Sequence, residues 1–76
     1  MARFTIENNR TEPMEIIFEP SAVEITLEVN KGVLIEWEGD EIGEIVLTQD
    51  YVVVGSPAGG GMRAWDDDGD EILGVL

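Results

Sequence analysis

The chain of 76 residues contains no cysteine, no histidine and only four Lys and Arg residues. Without Cys there is no disulfide, and without Cys or His there is no ligand set for a zinc finger, an iron–sulfur cluster or haem. The same absence excludes Ser–His and Cys–His nucleophile pairs. Four cations are too few for the clustered Lys and Arg that contact phosphates, so we expect no direct nucleic-acid binding.

Long apolar runs are also absent. Runs such as residues 33–35 and 52–54 are far too short to span a bilayer, so we predict no membrane segment. Residues 1–7 contain no apolar signal core. Together with the lack of Cys, these features favour a cytoplasmic location.

Acidic residues dominate what is present, since 17 Asp and Glu give a formal net charge of −13. Leu, Ile, Val and Phe nevertheless make up 23 of the 76 residues. That fraction exceeds the level of about 20% below which acidic chains tend to stay disordered. We therefore expect residues 1–76 to fold as one small domain, stabilised by core packing or self-association.

The distribution of apolar residues predicts strands. Residues 22–29 alternate apolar and polar side chains, and residues 33–38 do the same, which is typical of strands with one exposed face. Between them lie Asn30 and Gly32, which we expect to adopt positive φ in a tight turn. Two alternating runs joined by a short Gly turn predict a β-hairpin.

Further strands are predicted where short apolar runs lie between turn residues. No window shows a helical apolar period, so we predict no substantial helix. The Gly-rich residues 56–61 predict a loop, and Asp68-Gly69 predicts a hairpin corner between the last two strands. The fold class expected is all-β, a small antiparallel β-sandwich or barrel of about six to eight strands. The additional predicted strands are 4–7, 14–18, 42–48, 51–55, 62–65 and 71–75.

Part of this pattern resembles the early strands of cupredoxin-like sandwiches. The residues that carry the resemblance are Phe18-Glu19-Pro20, Val23, Ile25, Gly32-Val33 and Trp37. The copper ligands of that family are His and Cys, which this chain lacks, so the resemblance implies a sandwich without a copper site. The chain is also similar to small acidic bacterial proteins of unknown function, in which a Glu-Pro precedes two hairpins. That similarity implies a sandwich and no activity.

A cluster of carboxylates near the C-terminus is a candidate Ca²⁺ site, because Ca²⁺ binds six to eight oxygen ligands. Aligning Gly69 with the invariant Gly of an EF-hand places Ala64 and Val75 at two ligand positions, which excludes an EF-hand. Two interpretations stay open: a calcium loop of another kind, or an acidic hairpin corner without a ligand. The candidate metal ligands are Asp66, Asp68, Asp70 and Glu71.

The acidity also suggests a protein partner. Glu36 with Glu38, and Glu24 with Glu28, are expected to project as rows of negative charge that attract a basic protein. The alternative is that the charge maintains solubility and protects the sheet edges. We expect Trp37 in the core and Trp65 half exposed as a contact residue. The candidate binding residues are Trp65, Glu36, Glu38 and Arg63.

Two further expectations concern self-association and catalysis. An apolar face around Leu34, Leu47 or Tyr51 predicts a homo-oligomer as a second possibility beside the basic partner. We predict no enzymatic activity, since a sandwich of this size has little room for the apolar pocket that a catalytic acid requires.

Overall fold

The computed structural model describes residues 1–75, which form seven strands in two sheets and no helix. Accordingly, nothing in this part of the chain is a helix long and apolar enough to cross a membrane. The strands are β1 (Ala2–Glu7), β2 (Met14–Glu19), β3 (Val23–Leu27), β4 (Gly32–Trp37), β5 (Glu44–Leu47), β6 (Tyr51–Gly55) and β7 (Met62–Trp65).

The strands divide into a three-stranded sheet and a four-stranded sheet. The first has the order β1-β4-β7 and the second the order β3-β2-β6-β5, and neither closes into a barrel. Pairing is antiparallel except between β2 and β6, which are parallel. The prediction of all-β structure is confirmed, while the prediction of purely antiparallel pairing is wrong for β2 and β6. Alternation identifies strands, but it carries no information about which strands become neighbours.

The predicted hairpin between residues 22–29 and 33–38 is wrong, because β3 and β4 belong to different sheets. Asn30 adopts positive φ (65°) as predicted, whereas Gly32 does not, and the turn carries the chain across from one sheet to the other. Asn8, which is fully buried, fixes this crossing. Its backbone N–H donates to the carbonyl of Lys31 at 2.9 Å, and its side-chain amide donates to the carbonyl of Leu27 at 2.9 Å.

A predicted C-terminal strand over residues 71–75 is also absent. In the described part of the chain, one isolated antiparallel bridge, between Trp65 and Glu71, follows β7. Gly74 has a φ of 84°, so the chain turns away soon after the bridge instead of extending alongside β7. Val75 is then buried against the core.

One hydrophobic cluster draws side chains from both sheets. Trp37 belongs to it, which confirms the prediction that this residue lies in the core. The Trp37 ring meets the ring of Phe4 edge-on, with 4.6 Å between centroids and an interplanar angle of 63°. The buried members of the cluster are Met14, Ile16, Phe18, Leu27, Val33, Ile35, Trp37, Val52, Val54, Met62, Ala64 and Val75.

Candidate interaction surface

The outer face of the three-stranded sheet brings together three of the four predicted binding residues. Strand register places Arg3 of β1 and Arg63 of β7 on either side of Glu36 in β4. The neighbouring row consists of Thr5, Leu34 and Trp65. Because directly opposed residues of adjacent strands share a face, these two rows form one continuous patch.

Glu36 does not project into solvent as predicted. Its carboxylate accepts a hydrogen bond from Nη2 of Arg3 at 2.7 Å, and the Glu36 side chain is only 9% exposed against 62% for Arg3. Glu36 occupies the central strand of the sheet, where a neighbouring strand on each side covers the side chain. The predicted acidic row of Glu36 and Glu38 is therefore wrong, because one of its two carboxylates is covered by an arginine.

Arg63 is held by two different contacts. Its guanidinium donates to both carboxylate oxygens of Glu71, at 3.0 and 2.8 Å, and its central carbon lies 4.9 Å from the ring centroid of Trp65. The hydrogen bond to Glu71 and the charge of that carboxylate raise the pKa of Arg63 above its ordinary value. The same hydrogen bond lowers the pKa of Glu71. These contacts fix Trp65, which is partly exposed as predicted, at the border of the acidic turn.

We define the acidic turn as residues 66–70, which connect Trp65 to Glu71. Oδ1 of Asp66 accepts hydrogen bonds from the backbone N–H groups of Asp68 and Asp70, each at 2.9 Å. Oδ2 of Asp67 accepts from the N–H of Gly32 at 3.0 Å and so ties the turn to the first residue of β4. The acidic turn is thus an ordered loop and not a two-residue hairpin corner.

Three of the four predicted metal ligands converge on this turn. Carboxylate oxygens of Asp66, Asp68 and Asp70 lie within 4.8 Å of one another, and all three residues are exposed. Glu71 is directed instead toward Arg63, with which it forms an ion pair. The ion pairs found within residues 1–75 join Arg3 to Glu36 and Arg63 to Glu71, so the three clustered carboxylates have no cation from this part of the chain.

Shallow depressions flank the acidic turn on both sides. One, of about 370 Å³, is lined by Trp65 and by residues of β1 and β4. The other, of about 260 Å³, has a largely aliphatic floor and one cation, Lys31. The residues that line the first besides the turn itself are Arg3, Thr5, Leu34 and Trp65, and the aliphatic residues of the second are Ile25, Leu27, Val33 and Ile72.

The remaining predicted residues lie elsewhere. Glu38 is exposed beyond the end of β4, where its N–H donates to the carbonyl of Gly61. Leu34 belongs to the three-stranded sheet, whereas Leu47 and Tyr51 belong to the four-stranded sheet, so the three alternatives for an apolar face do not lie on one sheet. Glu24 and Glu28 are exposed, as predicted for the second acidic row.

Sequence reasoning missed Arg3 and Thr5 as parts of this surface. The signal that could have found them is their spacing of two residues, which is typical of two side chains on one face of a strand, and both lie on the patch. The alternation does not predict the strand order, and it is the strand order that places β1 beside β4 and β4 beside β7.

Comparison with protein-family models, with curated proteins and with solved structures finds no match to this chain.

Proposed function

We propose that this chain is a non-catalytic interaction module that binds a basic segment of a partner protein at the acidic turn and Trp65. The observation that carries the proposal is the group of three exposed carboxylates within 4.8 Å, which have no cation from residues 1–75. A Lys or Arg side chain of a partner would supply the missing cation through charge-assisted hydrogen bonds. The net charge of −13 would accelerate the encounter with such a partner.

Apolar contact supports the same location. Trp65 is partly exposed beside the turn, and each flanking depression offers aliphatic or aromatic lining. Exposed ion pairs alone contribute only about 0.2–1 kcal/mol each, so specific binding needs an apolar anchor as well. The partner segment that fits this surface therefore combines Lys or Arg with apolar side chains.

The test uses a fluorescent peptide of alternating Arg and Leu residues and a double variant, Asp68→Asn with Asp70→Asn. The backbone N–H groups of Asp68 and Asp70 donate hydrogen bonds to Oδ1 of Asp66, and within residues 1–75 the carboxylates of Asp68 and Asp70 accept none, so the turn should persist. We expect the double variant to weaken binding about three- to tenfold, from two exposed charge pairs. Glu19→Gln with Glu24→Gln changes the net charge equally, at two exposed residues that line neither depression, and is the matched control.

Binding to the wild type should also fall as salt rises from about 50 to 300 mM, because salt screens exposed charges. Equal weakening by the two double variants would refute the assignment to the acidic turn. Binding that is independent of salt would refute electrostatic recognition altogether.

A second candidate function is Ca²⁺ binding at the same carboxylates. It is favoured by the convergence of Asp66, Asp68 and Asp70, whose oxygens are the ligand type that Ca²⁺ prefers. A thermal melt with millimolar CaCl₂ tests it, since a ligand at 100 times its Kd stabilises the folded state by about 2.7 kcal/mol. Stabilisation by CaCl₂ that exceeds the effect of MgCl₂ and of NaCl, and that Asp68→Asn removes, would support this alternative. Equal effects of the three salts would exclude it.

We further propose that the two sheets pack face to face as a β-sandwich and that the protein acts in the cytoplasm. The hydrophobic cluster with members from both sheets supports the first statement. The lack of Cys supports the second. The module is proposed to be non-catalytic because the chain has no Ser–His or Cys–His pair.

A further inference from the structure

Strand β5 is an edge strand that leaves apolar side chains in solvent. It pairs with β6 on one side and has no strand on the other within residues 1–75. Its residues Ile45, Val46 and Leu47 are exposed, Leu47 to 76%, and Ile42 just before the strand is exposed to the same degree. Small proteins usually protect such an edge with charges, Pro or a bulge. Only Glu44, at the start of β5, carries a charge.

Two of these apolar side chains belong to the inward face of the four-stranded sheet. Register places Ile45 opposite Val54 and Leu47 opposite Val52, and both of these valines are buried in the core. Residues directly opposed across antiparallel strands share a face. The inward face of the four-stranded sheet is therefore buried as far as β6, but residues 1–75 leave the inward face of β5 exposed.

The hydrogen-bonding groups of the same residues face away from β6. The N–H of Thr48 donates to the carbonyl of Tyr51, so Thr48 is turned toward β6. Backbone direction alternates along an antiparallel pair, so Val46 is also turned toward β6 while Ile45 and Leu47 are turned outward. The free edge therefore offers the N–H and C=O groups of Ile45 and Leu47.

We infer that a second copy of this chain pairs with β5, antiparallel to it, around a two-fold axis at Val46. A two-fold axis perpendicular to the sheet keeps the inward faces of the two copies on the same side of the joint sheet. Because side chains alternate between the faces along a strand, an odd-numbered residue must then lie opposite an odd-numbered one, and an even-numbered residue opposite an even-numbered one. With the axis at Val46, Ile45 lies opposite Leu47 of the second copy, and Leu47 lies opposite Ile45 of the second copy. Their outward N–H and C=O groups would then form four backbone hydrogen bonds.

Side-chain chemistry agrees with that register. Apolar residues oppose apolar residues on the inward face, and Glu44 opposes Thr48 of the second copy, so no like charges are directly opposed. The uncovered inward faces of the two copies become neighbours and shield one another. The other edge of the same sheet, β3, exposes Glu24 and Thr26 instead, which does not favour strand addition.

The dimer should respond to salt in the opposite sense to the binding of a basic partner. Each copy carries a charge of −13, so screening lowers the repulsion between copies and strengthens the dimer. Binding of a basic segment at the acidic turn weakens under the same change. The two proposals use different surfaces, and either can fail while the other holds.

Sedimentation equilibrium of the full chain at about 50 and 300 mM NaCl tests the inference. We expect a monomer–dimer equilibrium that shifts toward the dimer at the higher salt. Leu47→Lys should weaken the dimer at least about tenfold, because it places a charge in the apolar contact. Leu73→Lys is the matched control, since Leu73 is 79% exposed outside β5 and the change of charge is the same. A wild type that stays monomeric at both salt concentrations, or equal weakening by the two variants, would overturn the inference.

Cysteine cross-linking tests the register in a chain that has no Cys of its own. Val46→Cys brings the two thiols opposite each other, with Cβ atoms about 4.5–5.5 Å apart, so an intermolecular disulfide should form rapidly on mild oxidation. Glu44→Cys is the control, since its thiols would lie about 13 Å apart in the same register, four residues along the strand. Equal rates for the two variants would overturn the proposed axis. Thermal melts verify that each variant is folded.

Discussion

Strands β4 and β5 are similar in composition but differ in burial. Each contains one Glu and three consecutive apolar residues, yet β4 buries Glu36 whereas β5 exposes Ile45, Val46 and Leu47. β4 lies between β1 and β7, while β5 is the last strand of the wider sheet. The difference in burial between these two strands therefore follows their positions in the sheets and not their composition.

The largest effect that distinguishes the two strands is expected from one substitution made in each. Ile35 of β4 is completely buried, and Ile35→Ala should lower the free energy of unfolding by about 2–5 kcal/mol. Ile45 of β5 is 42% exposed, so Ile45→Ala should cost about 1 kcal/mol or less. Urea denaturation at a concentration where the protein is monomeric measures both. Similar losses for the two variants would contradict the comparison.

A second substitution acts where the chain connects β4 to β5. A Cβ added to Gly43 would clash with the carbonyl oxygen of Gly55 and lie 2.7 Å from the ring of Trp37. Because the backbone of Gly55 can move away only at a considerable cost in energy, Gly43→Ala should destabilise the protein by about 1–3 kcal/mol. In the control, Gly55→Ala, the new Cβ would meet its nearest neighbour, Glu44, at 3.7 Å, which is ordinary contact. Differential scanning calorimetry should show a lower Tm for the first variant only.

A smaller effect is expected from the partner of the buried acid. Arg3→Ala removes the guanidinium that covers the carboxylate of Glu36, which is then left partly buried without its closest cation. Because Arg3 is itself well exposed and solvent screens the pair, we expect a loss of about 1 kcal/mol in urea denaturation. Arg10→Ala makes the same change of net charge at an exposed residue and should have little effect. Equal losses would show that net charge, not the pairing of Glu36, is responsible.

The smallest effect is pH-dependent and concerns Glu71, which pairs with β7 at the margin of the sheet. Since Arg63 lowers the pKa of Glu71 in the folded state, the pair stabilises the protein above pH 4.5 and ceases to do so as pH falls through the folded value. Glu71→Gln should therefore have a lower Tm than the wild type at pH 7, and the difference should disappear at low pH. Glu24→Gln is the control of equal charge. A difference in Tm that persists or grows in acid would contradict this linkage.

Local patterns predicted the strands well but not their partners. The bounds of β6 and β7 agree with the prediction, because each lies between strong turn signals. The hairpin prediction failed although both of its strands exist, since buried Asn8 takes the hydrogen bonds that position the connecting turn. Asn8 lies in a polar segment near the N-terminus, and the sequence there does not indicate whether the residue is buried or exposed.

The candidate site was predictable to the extent that it depends on residues close in sequence. Asp66, Asp68 and Asp70 converge because a single turn contains them, and Trp65 precedes that turn directly. Glu36 was predicted to be exposed because strand alternation indicates a face but not what covers it. The cover comes from Arg3, which is 33 residues away along the chain.

The order β1-β4-β7 has a consequence for how the chain reaches its structure. The three strands come from the beginning, the middle and the end of the described chain, so this sheet consists only of contacts between distant segments. Long loops must close before any of these contacts forms, and such topologies fold on a timescale of about milliseconds to seconds. During synthesis, β4 would have β1 as its only neighbour in this sheet until β7 emerges. Shortening the chain before Trp65 would remove an edge of this sheet as well as the candidate interaction surface.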